Sequence, residues 1–400
     1  MMTKKFVMGL VISKLLLAQV LTLGDLIDSA LANNPEIRAA KAHYEATLNT
    51  VSNIRYLPDP WLELEFSKDM PMYSISQELP FPTKLGTRQG IARNETGQAL
   101  NDYYNVVNRV IELAKGYYWK LYLNQIEQRL SAESKKTVER ISIIAENHYR
   151  LGHVPQADVI HTRVSLLKLE NRMRKLKNEQ SIIISALNNL INHPPDKELL
   201  VSIDSSFVPL EIGIDSLYVI ARTHSPVLKL YQLRMTEAQL NISMAKQEYL
   251  PDFMLKYGTA GMDLNKYKII FSLTIPLWFW AKQKSMVAEM QSEARMAQAE
   301  YQGIENEIVQ MLNTAKIMLE NYEREIKLFE DSIIPALESA LRSIMRAYEI
   351  NKADINGVLD TYQMLIEEKI EYYRARVDYF MTLAEIERIV GYDLIDWRSK

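Results

Sequence analysis

Tyr56-Leu57-Pro58-Asp59-Pro60-Trp61-Leu62-Glu63-Leu64-Glu65-Phe66-Ser67 reads as a turn feeding a strand of strict alternation. Leu62, Leu64 and Phe66 share one face, and Glu63, Glu65 and Ser67 share the other. After Asp69-Met70-Pro71 a return strand places Tyr73, Ile75 and Leu79 against Ser74, Ser76 and Glu78. The same opening recurs at Tyr249-Leu250-Pro251-Asp252-Phe253. There Phe253, Leu255 and Tyr257 alternate with Met254, Lys256 and Gly258. The partner strand sets Tyr267, Ile269, Phe271, Leu273 and Ile275 against Lys268, Ser272 and Thr274, with Ile270 as an exception. The spacing predicts strands over 61–69, 72–80, 253–262 and 266–276, each of a length that crosses a bilayer at a tilt.

Working outward, the flanks of the two hairpins also match. Leu23-Gly24-Asp25-Leu26 and Asn34-Pro35-Glu36-Ile37 precede the first, and Ile214-Asp215-Ser216-Leu217 and Ser225-Pro226-Val227-Leu228 precede the second. A proline break follows each, at Pro80 and Pro82 and at Pro276, and then a long stretch of helical spacing. These stretches run over residues 83–150 and 281–349, roughly 100 Å each at ~1.5 Å per residue. They end in Tyr149-Arg150-Leu151-Gly152 and Tyr348-Glu349-Ile350-Asn351. The same signals in the same order mean a duplication: residues 22–191, a linker over 192–213, and residues 214–397. Return helices over 156–191 and 355–391 are shorter than their partners. Stacking the helix over 35–56 end to end with the first return helix would give a wall of even height. Pro335 is expected to kink the second long helix.

The class is mainly α with a small β part. One greasy side per strand, and aromatics at the strand ends (Tyr56, Trp61, Phe81, Tyr249, Trp278, Phe279, Trp280), favour insertion in a membrane. The alternative is a soluble sheet packed on the chain's own helices. Four strands cannot close a barrel, and open edges are not tolerated in lipid, so closure needs several copies. Two copies give eight strands filled by side chains, and three give twelve with room for a lumen. The face bearing Glu63, Glu65 and Glu78, with Lys256 and Lys268, would then line the channel, its acidic side favouring cations.

Composition narrows the function. A net charge of −3 with 24% charged residues gives no basic patch for nucleic acid. With no Cys there is no thiol nucleophile or thiolate metal site. No phosphate loop, zinc-protease motif or serine elbow is present, so no enzyme and no cofactor is expected. His148, His153 and His161 are spaced by five and eight and read as surface histidines. Lys4 and Lys5 before an apolar run, with Ala18 as a cleavage residue, read as a secretory signal over residues 1–21.

Over residues 22–397 the sequence resembles the TolC-type outer-membrane efflux factors. The resemblance is carried by Ser332-Ile333-Ile334-Pro335-Ala336-Leu337-Glu338-Ser339-Ala340-Leu341 through Tyr348, Val358-Leu359-Asp360, and Leu383-Ala384-Glu385-Ile386-Glu387-Arg388-Ile389-Val390-Gly391. Leu79-Pro80-Phe81-Pro82-Thr83-Lys84-Leu85-Gly86 is similar to the Pro-Phe-Pro-Gly-Lys segment of the metal-cation efflux branch, with Thr83 in place of Gly. The resemblance implies a homotrimer with a twelve-stranded barrel in the outer membrane of a Gram-negative-type cell and an α-barrel in the periplasm. It implies docking on a periplasmic adaptor (membrane fusion) protein that leads to an inner-membrane pump of the RND type. Tyr149, Leu151, Gly152, Val154 and Asp158 match the family's docking tip, and Tyr348 and Asn351 stand at the second. Asp360 is the implied gate residue. The reading from another class is a periplasmic coiled-coil scaffold or adaptor without a pore.

Overall fold

A computed structural model describes residues 20–395 except 55, 67–70, 202–208, 211, 261–266 and 351. The expected signal falls outside these, apart from Val20–Leu21. That pair forms a short strand, β1, parallel to Leu200–Val201 (β4) in the linker. The described parts of the linker are therefore tied down. Leu199 and Leu210 are buried, and the Leu210 N–H donates to Tyr379 Oη at 2.6 Å.

Helix α1 (Leu23–Asn33) opens with a capping box in which Thr22 and Asp25 bond reciprocally. Helix α2 (Pro35–Asn53) starts on Asn34, whose Oδ1 accepts from the N–H groups of Glu36 and Ile37. Strands β2 (Trp61–Phe66) and β3 (Pro71–Leu79) lead into α3, an unbroken helix over Pro82–Arg150, and α4 (Gln156–Leu190) returns. The second half repeats the plan with α5 (Ile214–His224), α6 (Pro226–Gln247), β5 (Phe253–Ala260) and β6 (Tyr267–Leu273). Its long helix comes in two pieces, α7 (Lys284–Leu328) and α8 (Ile334–Glu349), before α9 (Ile355–Val390) returns.

The expected kink at Pro335 takes another form. The chain widens into a π-type turn over Phe329–Ile333, just ahead of the proline. Wider i→i+5 pairing at that turn accommodates the N–H that proline lacks. A second π-type turn, Phe279–Gln283, opens the long helix.

The sequence of α3 has no single apolar stripe, and its packing shows why. It meets α2 and α6 along its first part and α4 and α9 along its second. Each neighbour asks for apolar residues on a different side. The main core lies around its middle, where Trp119 stacks on Phe380 with centroids 4.2 Å apart. Tyr118 and Trp119 are buried there, as helix packing requires.

The end-to-end stacking occurs in both halves. Asn34 Nδ2 donates to the Leu190 carbonyl at 2.9 Å, joining the end of α4 to the start of α2. In the second half α9 ends on Gly391, in a left-handed conformation at φ 70° and hard against His224 at the end of α5 and Pro226 at the start of α6. Each wall element is thus a long helix backed by two shorter ones in line.

Candidate functional site

The four strands form one antiparallel sheet in the order β2-β3-β5-β6. They are shorter than expected at 61–69, 253–262 and 266–276. The far ends of the first two, and residue 266, lie outside the described residues, and β6 stops at Leu273 before the Pro276 break. Register puts Leu62 beside Ile75, Ile75 beside Tyr257, and Tyr257 beside Ile269. Every alternation therefore agrees across the sheet, and one continuous apolar face results.

Among the described residues no helix covers that face. Tyr73, Leu79 and Phe253 are half-buried, and the others run from 38% exposed at Tyr257 to 81% at Phe66, with Leu62, Leu64, Ile269 and Phe271 in between. A soluble sheet packed on its own helices would bury these side chains. Instead, a contiguous greasy patch of this kind marks a surface that something else must cover. Trp278, Phe279 and Trp280 are also exposed where β6 gives way to the helical part, as are Tyr56 and Trp61 at the start of β2. No helix of the described residues is long and apolar enough to cross a membrane.

The opposite face carries Glu63, Glu65, Glu78, Lys256 and Lys268, as alternation predicted. Their charges are not independent. Lys256 reaches across β3 to pair with Glu63, and Ser74 Oγ donates to Glu63 at 3.3 Å. Glu65 and Glu78 are exposed. The face is thus mixed, with an acidic excess of one per chain among these five residues.

Where sheet meets helices, Asp252 makes a clasp. Its carboxylate accepts the Phe81 N–H at 2.9 Å and the Lys84 ammonium at 2.8 Å. Lys84 is buried and lies 3.4 Å from Glu248 as well. Partial burial pushes the Asp252 carboxyl up, but the bonds from Lys84 and Phe81 outweigh it and hold it below the usual carboxylate range. Thus Lys84, in the segment similar to the metal-cation branch, holds strand to helix. Sequence reasoning quoted both residues but missed the clasp, because their pairing depends on β3 lying beside β5.

At the far end of the helices the first tip turns through residues 151–155. Gly152 has φ 72°, and its N–H reaches the Tyr149 carbonyl while the His153 N–H reaches that of His148, both at 2.9 Å. Tyr149 and Leu151 are exposed, and Val154 is half-buried. The second turn closes with the equivalent bond, Lys352 N–H to the Ala347 carbonyl at 2.8 Å. Asn351 lies outside the described residues.

Two of the expected tip residues face inward. Tyr348 is 2% exposed and stacks on His148, and Asp158 is 6% exposed. Burial pushes the Asp158 carboxyl up, and the nearby Asp354 adds to it. Tyr348 holds the tips together, with Ile141, Ala145, Ile355 and Val358 around it, and Tyr149, Leu151 and Val154 stay at least partly accessible. His148 is drawn into this cluster, which corrects its reading as a surface histidine. No cluster of metal-ligating side chains occurs among the described residues. Asp360 is exposed on the first turns of α9, two residues from Val358 and from Tyr362 and so on the side of the helix away from their buried face.

No family model and no curated protein matches the sequence. Solved structures do. The outer-membrane protein VceC from Vibrio cholerae aligns with 93% of this chain and 97% of its own at a TM-score of 0.80 and 15% identity. The outer-membrane channel OprN aligns over 94% and 90%, with a TM-score of 0.77 and 15% identity. The Campylobacter jejuni CmeC outer-membrane channel aligns over 94% and 88%, at 0.74 and 15%. The fold of this chain is that of the TolC-like outer-membrane channels.

Proposed function

We propose that the chain is the outer-membrane duct of a tripartite efflux system, a passive conduit for small molecules or metal cations whose energy comes from a partner pump. One observation carries this reading: a four-stranded sheet with one largely apolar face that no described helix covers is joined to a helical shaft roughly 100 Å long. Lipid covers the apolar face, further copies close the barrel, and the helical part spans the space beneath. The similarity to OprN, VceC and CmeC supports it. The sheet sits in the outer membrane of a Gram-negative-type cell, the shaft is periplasmic, and three copies assemble. Nothing in the geometry calls for catalysis.

Fractionation tests this directly. The protein is expected in the outer membrane, released only by detergent, and conducting in planar bilayers. Recovery as a soluble periplasmic protein without conductance would instead identify a coiled-coil scaffold.

The inward face should set ion preference. Replacing Glu63, Glu65 and Glu78 together with glutamine leaves Lys256 and Lys268 as the charged groups of that face, and is expected to turn weak cation preference toward anions. Reversal potentials in a salt gradient measure it, and an unchanged potential would remove these residues from the lumen.

The tips are read as the docking surface for a periplasmic adaptor protein. Gly152 is the sensitive position, since φ 72° strains any residue with a Cβ. Gly152→Trp is expected to lower adaptor cross-linking and efflux while leaving outer-membrane assembly intact. Wild-type cross-linking in that variant would place docking elsewhere.

A further inference from the structure

We infer that neighbouring copies join β6 to β2 in one definite register, with Asp59 of one copy clasped by the next. The inference rests on the channel reading and is drawn from the duplication within the chain. Take the two Tyr-Leu-Pro-Asp motifs as equivalent, so that Leu62 matches Leu255. Their partners in the sheet, Ile75 and Phe271, then match each other. Continuing along these strands brings Pro80 onto Pro276, although neither proline was used to set the match. The two hairpins are copies down to their pairing.

The join between the hairpins, β3 with β5, therefore predicts the join between chains. Within the chain Gln77 lies beside Leu255, and Leu79 beside Phe253. Moving both strands to their equivalents sets Leu273 beside Leu62 of the neighbour, and Ile275 beside Pro60. The apolar faces of the two copies then run on without a break, as they would not if the register slipped by one. The strands at issue, β2 and β6, are the two edges of the sheet. Open edges in lipid demand partners.

The clasp has an equivalent too. Asp252 is held by the N–H of Phe81, directly after Pro80, and by Lys84 in the first turn of the helix. The matching groups for the first two are Asp59 and the N–H of Leu277 directly after Pro276; Trp280 stands at the position of Lys84, and Lys282, two residues further on in the turn that opens the second long helix, is the nearest cation. Asp59 and Lys282 are exposed, and neither has an ionic partner among the described residues. Within one chain they lie at opposite edges of the sheet, and in a closed ring they meet.

The helices show the same missing neighbour. Helix α6 sits between α3 and α7 and buries Leu228, Leu230, Ala238, Ile242 and Ala245 along its length. Its counterpart α2 meets α3 on one side and buries Ile37 alone. The first residue that α7 buries is Ala297, whereas α3 buries Lys84, Ala92 and Asn94 over its corresponding start. A second copy laid β6 to β2 fills both gaps, with its α2 against α7.

The chain has no Cys, so engineered pairs report without background. Leu62→Cys with Leu273→Cys in one chain is expected to oxidise into covalent dimers and trimers in outer-membrane preparations, whereas Leu64→Cys with Leu273→Cys is not. Linkage of the second pair and not the first, in trimers that still conduct, overturns the register and spares the channel reading. A wild-type protein that is monomeric and soluble overturns both. Asp59→Lys is expected to lose detergent-resistant trimer, and adding Lys282→Asp to restore it. Wild-type resistance in the single variant, or no recovery in the double, overturns the clasp.

Discussion

Replacing Glu387 with alanine is expected to cost about 3–5 kcal/mol of folding stability, the usual penalty for leaving the partner charge of a buried ion pair uncompensated. The Lys115 ammonium lies 2.6 Å from Glu387 Oε2, and both side chains are buried, at 1% and 4% exposure. The other oxygen, Oε1, accepts the N–H groups of Leu394 and Ile395 at 2.8 and 3.1 Å. One carboxylate thus ties the middle of α3, the end of α9 and the segment beyond it. Burial pushes the Glu387 carboxyl up, so its charge is held against a desolvation cost that Lys115 offsets. Asp393, 3.7 Å from Lys115 and largely exposed, is a weak substitute. Urea denaturation of the detergent-solubilised protein measures the loss. Replacing both partners by Met is expected to recover most of it, because a well-packed apolar pair has no stranded charge. A double variant as unstable as Glu387→Ala would show that the site's worth lies in the bonds to Leu394 and Ile395.

Gly391→Ala is expected to be nearly as damaging. A left-handed conformation costs an L-residue about 1–2 kcal/mol. A Cβ on Gly391 would also stand 2.7 Å from Pro226 Cδ and 2.8 Å from the His224 carbonyl oxygen. Neither atom belongs to a flexible side chain, so the joint between α9 and α6 must open, at a further ~1–3 kcal/mol for overpacking. Loss of hydrogen-exchange protection at Tyr392 and along the start of α6, ahead of global unfolding, is the expected signature. Protection unchanged from wild type would mean that the joint yields without strain. Gly152 has the same backbone conformation with open space around it, so substitution there strains the turn but pushes on nothing.

What the sequence revealed and what it hid divide along a physical line. The alternation of Leu62, Leu64 and Phe66 against Glu63 and Glu65 is a local signal, and it described both faces of the sheet correctly. The proline breaks and the uninterrupted helical spacing placed α3 to within one residue of its start. The pairing of Lys256 with Glu63 needs the register of three strands at once, which no single segment encodes. Tyr348 and Asp158 sit in motifs beside a turn and suggested outward contact. Their burial depends on two tips meeting side by side, with His148 stacked on Tyr348. Pro335 was legible as a break but not as a π-type turn, since the sequence marks the missing N–H and not how the helix absorbs it.

That absorption bears on how such a shaft tolerates change in length. Between matched points, Pro80 to Tyr149 and Pro276 to Tyr348, the second half carries three more residues than the first. A plain insertion would rotate every later side chain about the axis and carry the apolar residues off their neighbours. A π-type turn swallows one surplus residue locally, and the second long helix has two such turns, which take up two of the three. Insertions in a wall of this design can therefore be quarantined where they arise, and the two halves can drift apart in sequence length while most of each long helix keeps its packing face.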